Sequence, residues 1–323
     1  MTALGLVGAI TDPGRKRRRN EDAYVIEPPL FAVADGMGGA QAGEVASRLA
    51  AAALKESGAE TGGERRIVSL IQEANRRVYD RSNEDPNASG MGTTMTVALV
   101  EDGQVSFGHV GDSRAYLIRD GSMEQLTEDH SLVAELMRSG KLSPEEAESH
   151  PQRSVITRAL GTDPDVDVDT FTIATRVGDL FLLCSDGLTT MLPNETILDV
   201  VERYRPDMNG ALRALVSAAN KGGGEDNITV IAFEIAEHDV GPNGDTREQA
   251  RPEEEDTLSE VDAVPAVDTA VIPVEEIQAG IAEEEARQRK VRRRHLRRRL
   301  LAWIALLMIV AAVGVALYLR FLR

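Results

Sequence analysis

The sequence predicts an α+β fold with helices packed outside antiparallel sheets. Two observations carry this expectation. Short apolar runs are joined by tight polar turns, "EDG" at 101–103 and "DG" at 120–121, which signal hairpins between antiparallel neighbours. Segments of helical periodicity come in blocks and do not alternate strictly with strands, which sets the pattern apart from βαβ units.

Strand-like runs, in order, are "LGLVGAI" (4–10), "LFAVAD" (30–35), "TTMTVALV" (93–100), "QVSFGHVG" (104–111), "RAYLIRD" (114–120), "LFLLCSD" (180–186) and "ITVIAFEI" (228–235). Each is short, apolar and bounded by turn residues. "GEVASRLAAAALKES" (43–57) and "ERRIVSLIQEANRRVYDRS" (64–82) read as a helix pair ahead of the hairpins. Helical patterns return at 131–140, 194–204 and 209–223. No internal repeat is present.

Composition divides the chain. Of 323 residues with a net charge of −17, residues 1–236 carry −14, and 237–286 hold 16 acidic residues against two Arg. That second segment has few aromatics and scattered Pro and Gly. It buries too little apolar surface to offset its ordering entropy and reads as a disordered acidic linker. Residues 287–299 carry nine Lys/Arg, and 300–319 are 20 uncharged, mostly apolar residues, enough to cross a bilayer as one helix. Residues 320–323 then form a short tail outside the cytoplasm. The N-terminus lacks a basic n-region and does not read as a signal peptide. The positive-inside rule places residues 1–299 in the cytoplasm, with 287–299 available to anionic lipid. Beside a span, that basic run is not read as a nucleic-acid site, and the acidity of residues 1–236 also disfavours nucleic acid as a partner. Cys184 is the only cysteine, so no intrachain disulfide exists and a reducing compartment is expected.

Within 1–236, carboxylates recur at strand ends. Asp35 closes an apolar run and is followed by Gly36, Met37, Gly38 and Gly39; Asp186 closes another before Gly187. Asp112 lies between two strands, Asp226 and Asn227 precede one, and Asn20, Glu21 and Asp22 precede another. Any one of these could be a turn or a strand cap. Five of them are harder to read as turns alone. Carboxylates gathered at one place raise each other's pKa, and a divalent cation removes that penalty. Oxygen ligands in such number suit Mg²⁺ or Mn²⁺, and no zinc pattern is evident. Bare backbone after Asp35 lets the Gly36 carbonyl reach a metal and lets a phosphate approach.

"RRNEDA", "ADGMGG", "GTTMTVAL", "VGDSRAY", "HPQRSVITRALG", "SDGL" and "EDNIT" occur in this order across residues 3–236. Together they resemble the metal-dependent serine/threonine protein phosphatase family, type 2C, in its compact bacterial form. The resemblance implies a four-layer α-β-β-α sandwich of two antiparallel sheets flanked by helices. It implies two Mn²⁺ or Mg²⁺ ions, with Asp35 bridging them, the Gly36 carbonyl on one, and Asp186 and Asp226 completing the other. Glu21 and Asp22, with Asn227, would stand behind the ions and hold their waters. Asp112, shared with Asp186, would hold a third, weaker ion. Arg17, three residues before Asn20, would clamp the substrate phosphate, leaving Arg15, Arg18 and Arg19 as solvated loop charges. Residues 139–160 would form a flap beside the site.

The family chemistry is attack on phosphorus by a hydroxide bridging the ions, with no phosphoenzyme, so Cys184 is expected to be a core residue. One departure stands out. Met37 occupies the place where eukaryotic members carry a His proposed as general acid, and His150 in the flap is a weak substitute. The expected function is dephosphorylation of phosphoserine and phosphothreonine in proteins at the cytoplasmic membrane face, with membrane serine/threonine kinases and their targets as partners. Two competing readings are a catalytically silent phosphoprotein-binding module and a hydrolase of small phosphoesters.

Overall fold

Two hairpins set the register of the sheets. In the computed structural model, which describes residues 3–38, 42–56, 62–86, 88–148 and 150–236, β5 (Met95–Glu101) turns into β6 (Gln104–Val110) through Asp102 and Gly103. Likewise β7 (Arg114–Arg119) turns into β8 (Ser122–Gln125) through Asp120 and Gly121. Both residues of each turn have positive φ, 47° and 78° in the first and 52° and 72° in the second. A two-residue I′ turn needs this, and its twist matches that of the strands it joins. Glu101 therefore faces Gln104, and Arg119 faces Ser122.

The remaining strands are β1 (Ala3–Asp12), β2 (Asp22–Glu27), β3 (Leu30–Met37), β4 (Gly92–Thr93), β9 (Asp169–Ala174), β10 (Leu180–Cys184) and β11 (Ile228–Ala236). One sheet runs β1-β11-β10-β7-β8 and the other β2-β3-β5-β6-β9, with the short β4 paired to β3. All these pairings are antiparallel.

Period-two alternation assigns the faces. On β3, Phe31 and Val33 face the other sheet while Leu30, Ala32 and Ala34 face helices; on β11, Ile231, Phe233 and Ile235 point inward while Ile228, Val230 and Ala232 point outward. Both faces are buried, which is why these strands read as continuous apolar runs. The inter-sheet core centres on four phenylalanines. Phe31 stacks on Phe233 at 4.3 Å, and Phe181 lies 5.2 Å from Phe233 and 5.8 Å from Phe107.

Helices cover the outer faces. α1 (Ala42–Glu56) and α2 (Gly63–Glu84) bury Ala46, Ala50, Leu54, Ile67 and Ile71 against the second sheet. α6 (Asn194–Tyr204) and α7 (Met208–Gly222) bury Ile197, Val201, Leu212 and Leu215 against the first. Ser131 caps α3 (Leu132–Arg138) by accepting from Ala134 N. The short α4 (Pro144–Glu148) lies in the expected flap, and α5 (Asp186–Thr189) is a single turn after β10.

The described residues thus form the expected four layers. β9 is absent from the expected strands. "DTFTIA" sits at a sheet edge with polar residues alternating outward, and so lacks a sustained apolar run. The expected linker, basic segment, membrane span and tail, residues 237–323, lie outside the described residues. Among the described residues no helix is long and apolar enough to cross a membrane.

Phe233 is fully buried and Val177 is 64% exposed. Phe233→Ala is expected to destabilise the fold by about 3–5 kcal/mol through lost transfer energy and a residual cavity. Val177→Ala is expected to stay within about 0.5 kcal/mol of the parent. Equilibrium urea denaturation of the two variants checks both.

Candidate active site

Strands β3 and β6 are each antiparallel to β5, so their C-terminal ends emerge on the same side of the sheet. The loop 111–113 leaves β6 there and crosses to β7 of the other sheet, beside the end of β10, where Cys184 pairs with both Arg114 and Val230. This topology brings residues distant in sequence into one small polar cleft. It is lined by Glu21, Asp35, Asp112, Asp186 and Asp226, by Gly36, Met37, Gly38 and Ile156, and by a single basic residue, Arg17.

Asp35 is fixed through its backbone. Its N–H donates to Thr94 Oγ1 at 3.0 Å, and its carbonyl accepts from Thr94 N and Thr93 Oγ1 at 2.9 and 2.8 Å. The Thr94 hydroxyl also meets Ser113 Oγ at 2.9 Å, tying Asp35 to the loop that carries Asp112. Gly36 is wedged between the β2 entry and α1. Its N–H donates to Glu21 O at 3.2 Å, and a Cβ there would fall 2.2 Å from Gly43 O. No other residue fits that position without displacing backbone.

Asp22, opposite Asp35 in the β2–β3 register, is held from the other sheet. Its Oδ2 accepts from Ser185 Oγ at 2.8 Å and from Thr229 Oγ1 at 2.6 Å. Asp226 Oδ2 accepts from Arg17 Nη2 at 2.8 Å, and its Oδ1 accepts from Asn227 N at 2.8 Å. Asn227 is buried and fully engaged. Its Oδ1 accepts from Glu21 N at 2.8 Å, and its Nδ2 donates to Pro13 O and Arg19 O at 3.0 and 2.8 Å. It fixes both ends of the loop that presents Arg17.

The electrostatics are dominated by crowding. Burial, then the charges of Asp22, Asp186, Asp226 and Asp112, holds the Asp35 carboxyl well above the usual range. Burial followed by Asp112, Asp226 and Asp22 does the same to Asp186. Asp112 is pushed up to about 7 by burial and by Asp129, against the pull of Arg114. Glu21 rises to about 7 by burial, with Arg17 opposing. Asp22 rises to about 6, because burial outweighs its two hydroxyl donors. Arg17 is held above its ordinary value; burial pulls it down, but the charge and hydrogen bond of Asp226 outweigh this.

Two oxygens, Asp186 Oδ1 and Asp22 Oδ1, are buried with no hydrogen-bond partner. Unpaired buried carboxylate oxygens are costly, and an all-oxygen cleft of this kind fits a hard divalent cation. Among the described residues no three His, Cys, Asp or Glu side chains already close around a single point. An ion here would therefore draw on carboxylates, the Gly36 carbonyl and water together.

Other expected residues fall outside the cleft lining. His150 is not part of it; its Nδ1 accepts from Gln152 N at 3.2 Å. Met37 does line the cleft, and it packs on Ile156 and Ala159, so this side chain anchors the flap segment. Cys184 is fully buried, and burial pushes its thiol up to about 12, which makes it inert. Sequence reasoning missed the hydroxyls of Thr94, Ser113, Ser185 and Thr229. Ser113 and Ser185 adjoin Asp112 and Asp186 in "GDSR" and "SDGL", which was the available signal.

Comparison with known proteins agrees with this geometry. The family model described as "Protein phosphatase 2C" matches residues 15–222. The serine/threonine phosphatase stp of Listeria monocytogenes is 42% identical over 236 residues, covering 69% of this chain and 93% of that one. The crystal structure of the Mycobacterium tuberculosis serine/threonine phosphatase PstP/Ppp superposes with a TM-score of 0.69 at 37% identity, over 73% of this chain and all of that one. A structure of the PstP catalytic domain in complex with two manganese ions gives 0.66 at 35% identity, over 72% of this chain and 99% of that one. A model match spanning the Arg17 loop to the end of α7, with relatives this similar over nearly their whole length, establishes that the chain belongs to the protein phosphatase 2C family.

Proposed function

We propose that the chain hydrolyses phosphoserine and phosphothreonine in proteins with two Mn²⁺ or Mg²⁺ ions held in the acidic cleft, at the cytoplasmic face of a membrane. The observation that carries this reading is the set of crowded carboxylates facing a single arginine, with unpartnered buried oxygens on Asp186 among them and on Asp22, opposite Asp35 in the strand register.

Asp35, the Gly36 carbonyl, Asp186 and Asp226 would hold the two ions, and Asp112 with Asp186 a third, weaker one. When bound, such ions acidify water and offset charge on the phosphate. The chain's own residues do the rest. Glu21, which lines the cleft, and Asp22, buried opposite Asp35 in the β2–β3 register, would accept from ordered water. Arg17 lines the cleft, 2.8 Å from Asp226, and its guanidinium would clamp the phosphate oxygens, where a planar fork binds best. Asn227 keeps that arginine in place by closing its loop. Met37 offers no proton, so protonation of the leaving serine or threonine oxygen falls to solvent in the cleft. No side chain in the cleft lining is a covalent nucleophile of the Cys or Ser type, which suits direct transfer to water.

The membrane tether rests on the sequence: the apolar run 300–319 and the basic run 287–299 before it. Tethering keeps the catalytic domain near phosphoproteins at the same surface. Membrane serine/threonine kinases and their targets are the natural partners, and anionic lipid fits the basic run.

With Mn²⁺ the full chain is expected to release phosphate from a phosphothreonine peptide, and EDTA to stop it. Asp35→Asn should lower kcat by roughly 10³-fold or more, the scale of losing a charge-stabilising group. A folded Asp35→Asn variant with undiminished kcat overturns the reading. Deleting 300–319 should move the chain from the membrane fraction to the supernatant; retention in the membrane fraction would refute the tether.

The raised carboxyls also give a pH prediction. In the folded, metal-free chain Asp22, Asp112 and Glu21 titrate at about 6 to about 7, against about 4 when unfolded. Across that window the folded state binds more protons, so stability present below about pH 4 is lost as pH rises to about 7. Added Mn²⁺ reverses this loss. The Mn²⁺-induced rise in Tm is therefore expected to be larger at about pH 8 than at about pH 5.5, as differential scanning fluorimetry would read.

A further inference from the structure

Arg17 turns into the cleft, whereas Arg15, Lys16, Arg18 and Arg19 are exposed around it. The loop that carries them is firmly seated. Arg15 N and Lys16 N both donate to Gly224 O, at 2.7 and 3.1 Å. Asn227 Nδ2 holds Pro13 O and Arg19 O at its two ends. Gly14 has φ of 77°, and a Cβ there would fall 2.2 Å from Asp226 O. The loop therefore lies directly on the segment that supplies Asp226. Arg15 itself runs over that segment, since a Cβ on Gly224 would meet Arg15 Cγ at 2.7 Å.

Five consecutive basic residues, 15–19, thus share the loop that presents Arg17 to the cleft, in a chain of net charge −17. Two nearby cations are already engaged: Arg19 lies 3.7 Å from Glu44, and Arg153 of the flap segment lies 3.8 Å from Glu225. Arg15 and Lys16 form no salt bridge among the described residues. Nothing in the fold requires charge at these two positions, because their contacts to Gly224 are made by backbone.

We propose that Arg15 and Lys16 form a substrate rim that selects phosphosites flanked by acidic residues; this rests on the phosphatase reading above. A peptide whose phosphate reaches Arg17 must lay its neighbouring residues across the mouth. Successive residues of an extended chain advance about 3.3 Å, so those one to three places from the phosphosite lie within about 10 Å. The Debye length is about 8 Å at physiological salt. The charges of Arg15 and Lys16 are therefore felt there, while most of the domain's negative charge is screened.

The test uses the full chain in detergent micelles with Mn²⁺ and three phosphothreonine peptides that differ only in flanking Glu, Gln or Lys. The expected order of kcat/KM is Glu over Gln over Lys, with about ten-fold between the extremes, the scale of a few exposed ion pairs. Added salt should shrink the spread. The double variant Arg15→Glu with Lys16→Glu should reverse the order, an outcome that misfolding cannot mimic because it lowers all three together. Equal kcat/KM for the three peptides, or an unchanged order in the double variant, overturns the rim while hydrolysis of the Gln peptide upholds the phosphatase. Hydrolysis of none overturns both.

Discussion

The fold is organised around a repulsion. Asp35, Asp112, Asp186, Asp226 and Glu21 share one cleft with a single arginine, and like charges so placed resist being brought together. Nothing in the side chains themselves draws them close. The burden falls on the two sheets and on the backbone bonds at their ends, which must hold the acids in place before any cation arrives.

Two kinds of contact meet that burden. The first is the packing of Phe31, Phe107, Phe181 and Phe233 between the sheets, which fixes the separation of the strand ends. The second is a set of small hydroxyls and one amide. Ser185 and Thr229 reach from one sheet to Asp22 on the other. Thr94 binds the Asp35 backbone and Ser113 at once. Asn227 joins the Glu21 backbone to both ends of the Arg17 loop. These short side chains carry little conformational entropy and so lose little when fixed.

Much of this was legible in the sequence where local rules operate. The I′ turns at Asp102–Gly103 and Asp120–Gly121 follow from residue type, and the apolar runs ending at Asp35 and Cys184 follow from double-sided burial. α6 begins and ends where its periodicity does. β9 was not legible, because an edge strand can alternate polar residues outward and be stabilised by its neighbour alone. The acids of the cleft were visible as a recurring device, strand end followed by carboxylate. The hydroxyls that hold them were not, since serine and threonine are common on strands for unrelated reasons. Nor could the sequence have paired Met37 with Ile156 and Ala159, more than a hundred positions away. Where His150 would fall relative to the cleft was likewise a question of flap conformation.

Because the cleft is stitched from both sheets, the distance between acids is inherited from the thickness of the aromatic layer between them. A volume change at Phe31 or Phe233 is then felt at the mouth even when the protein still folds. Natural variation in this layer should be constrained like variation at the acids themselves. Residues that never meet a substrate would be under selection for spacing, and drift there would be permitted only in compensating pairs across the sandwich.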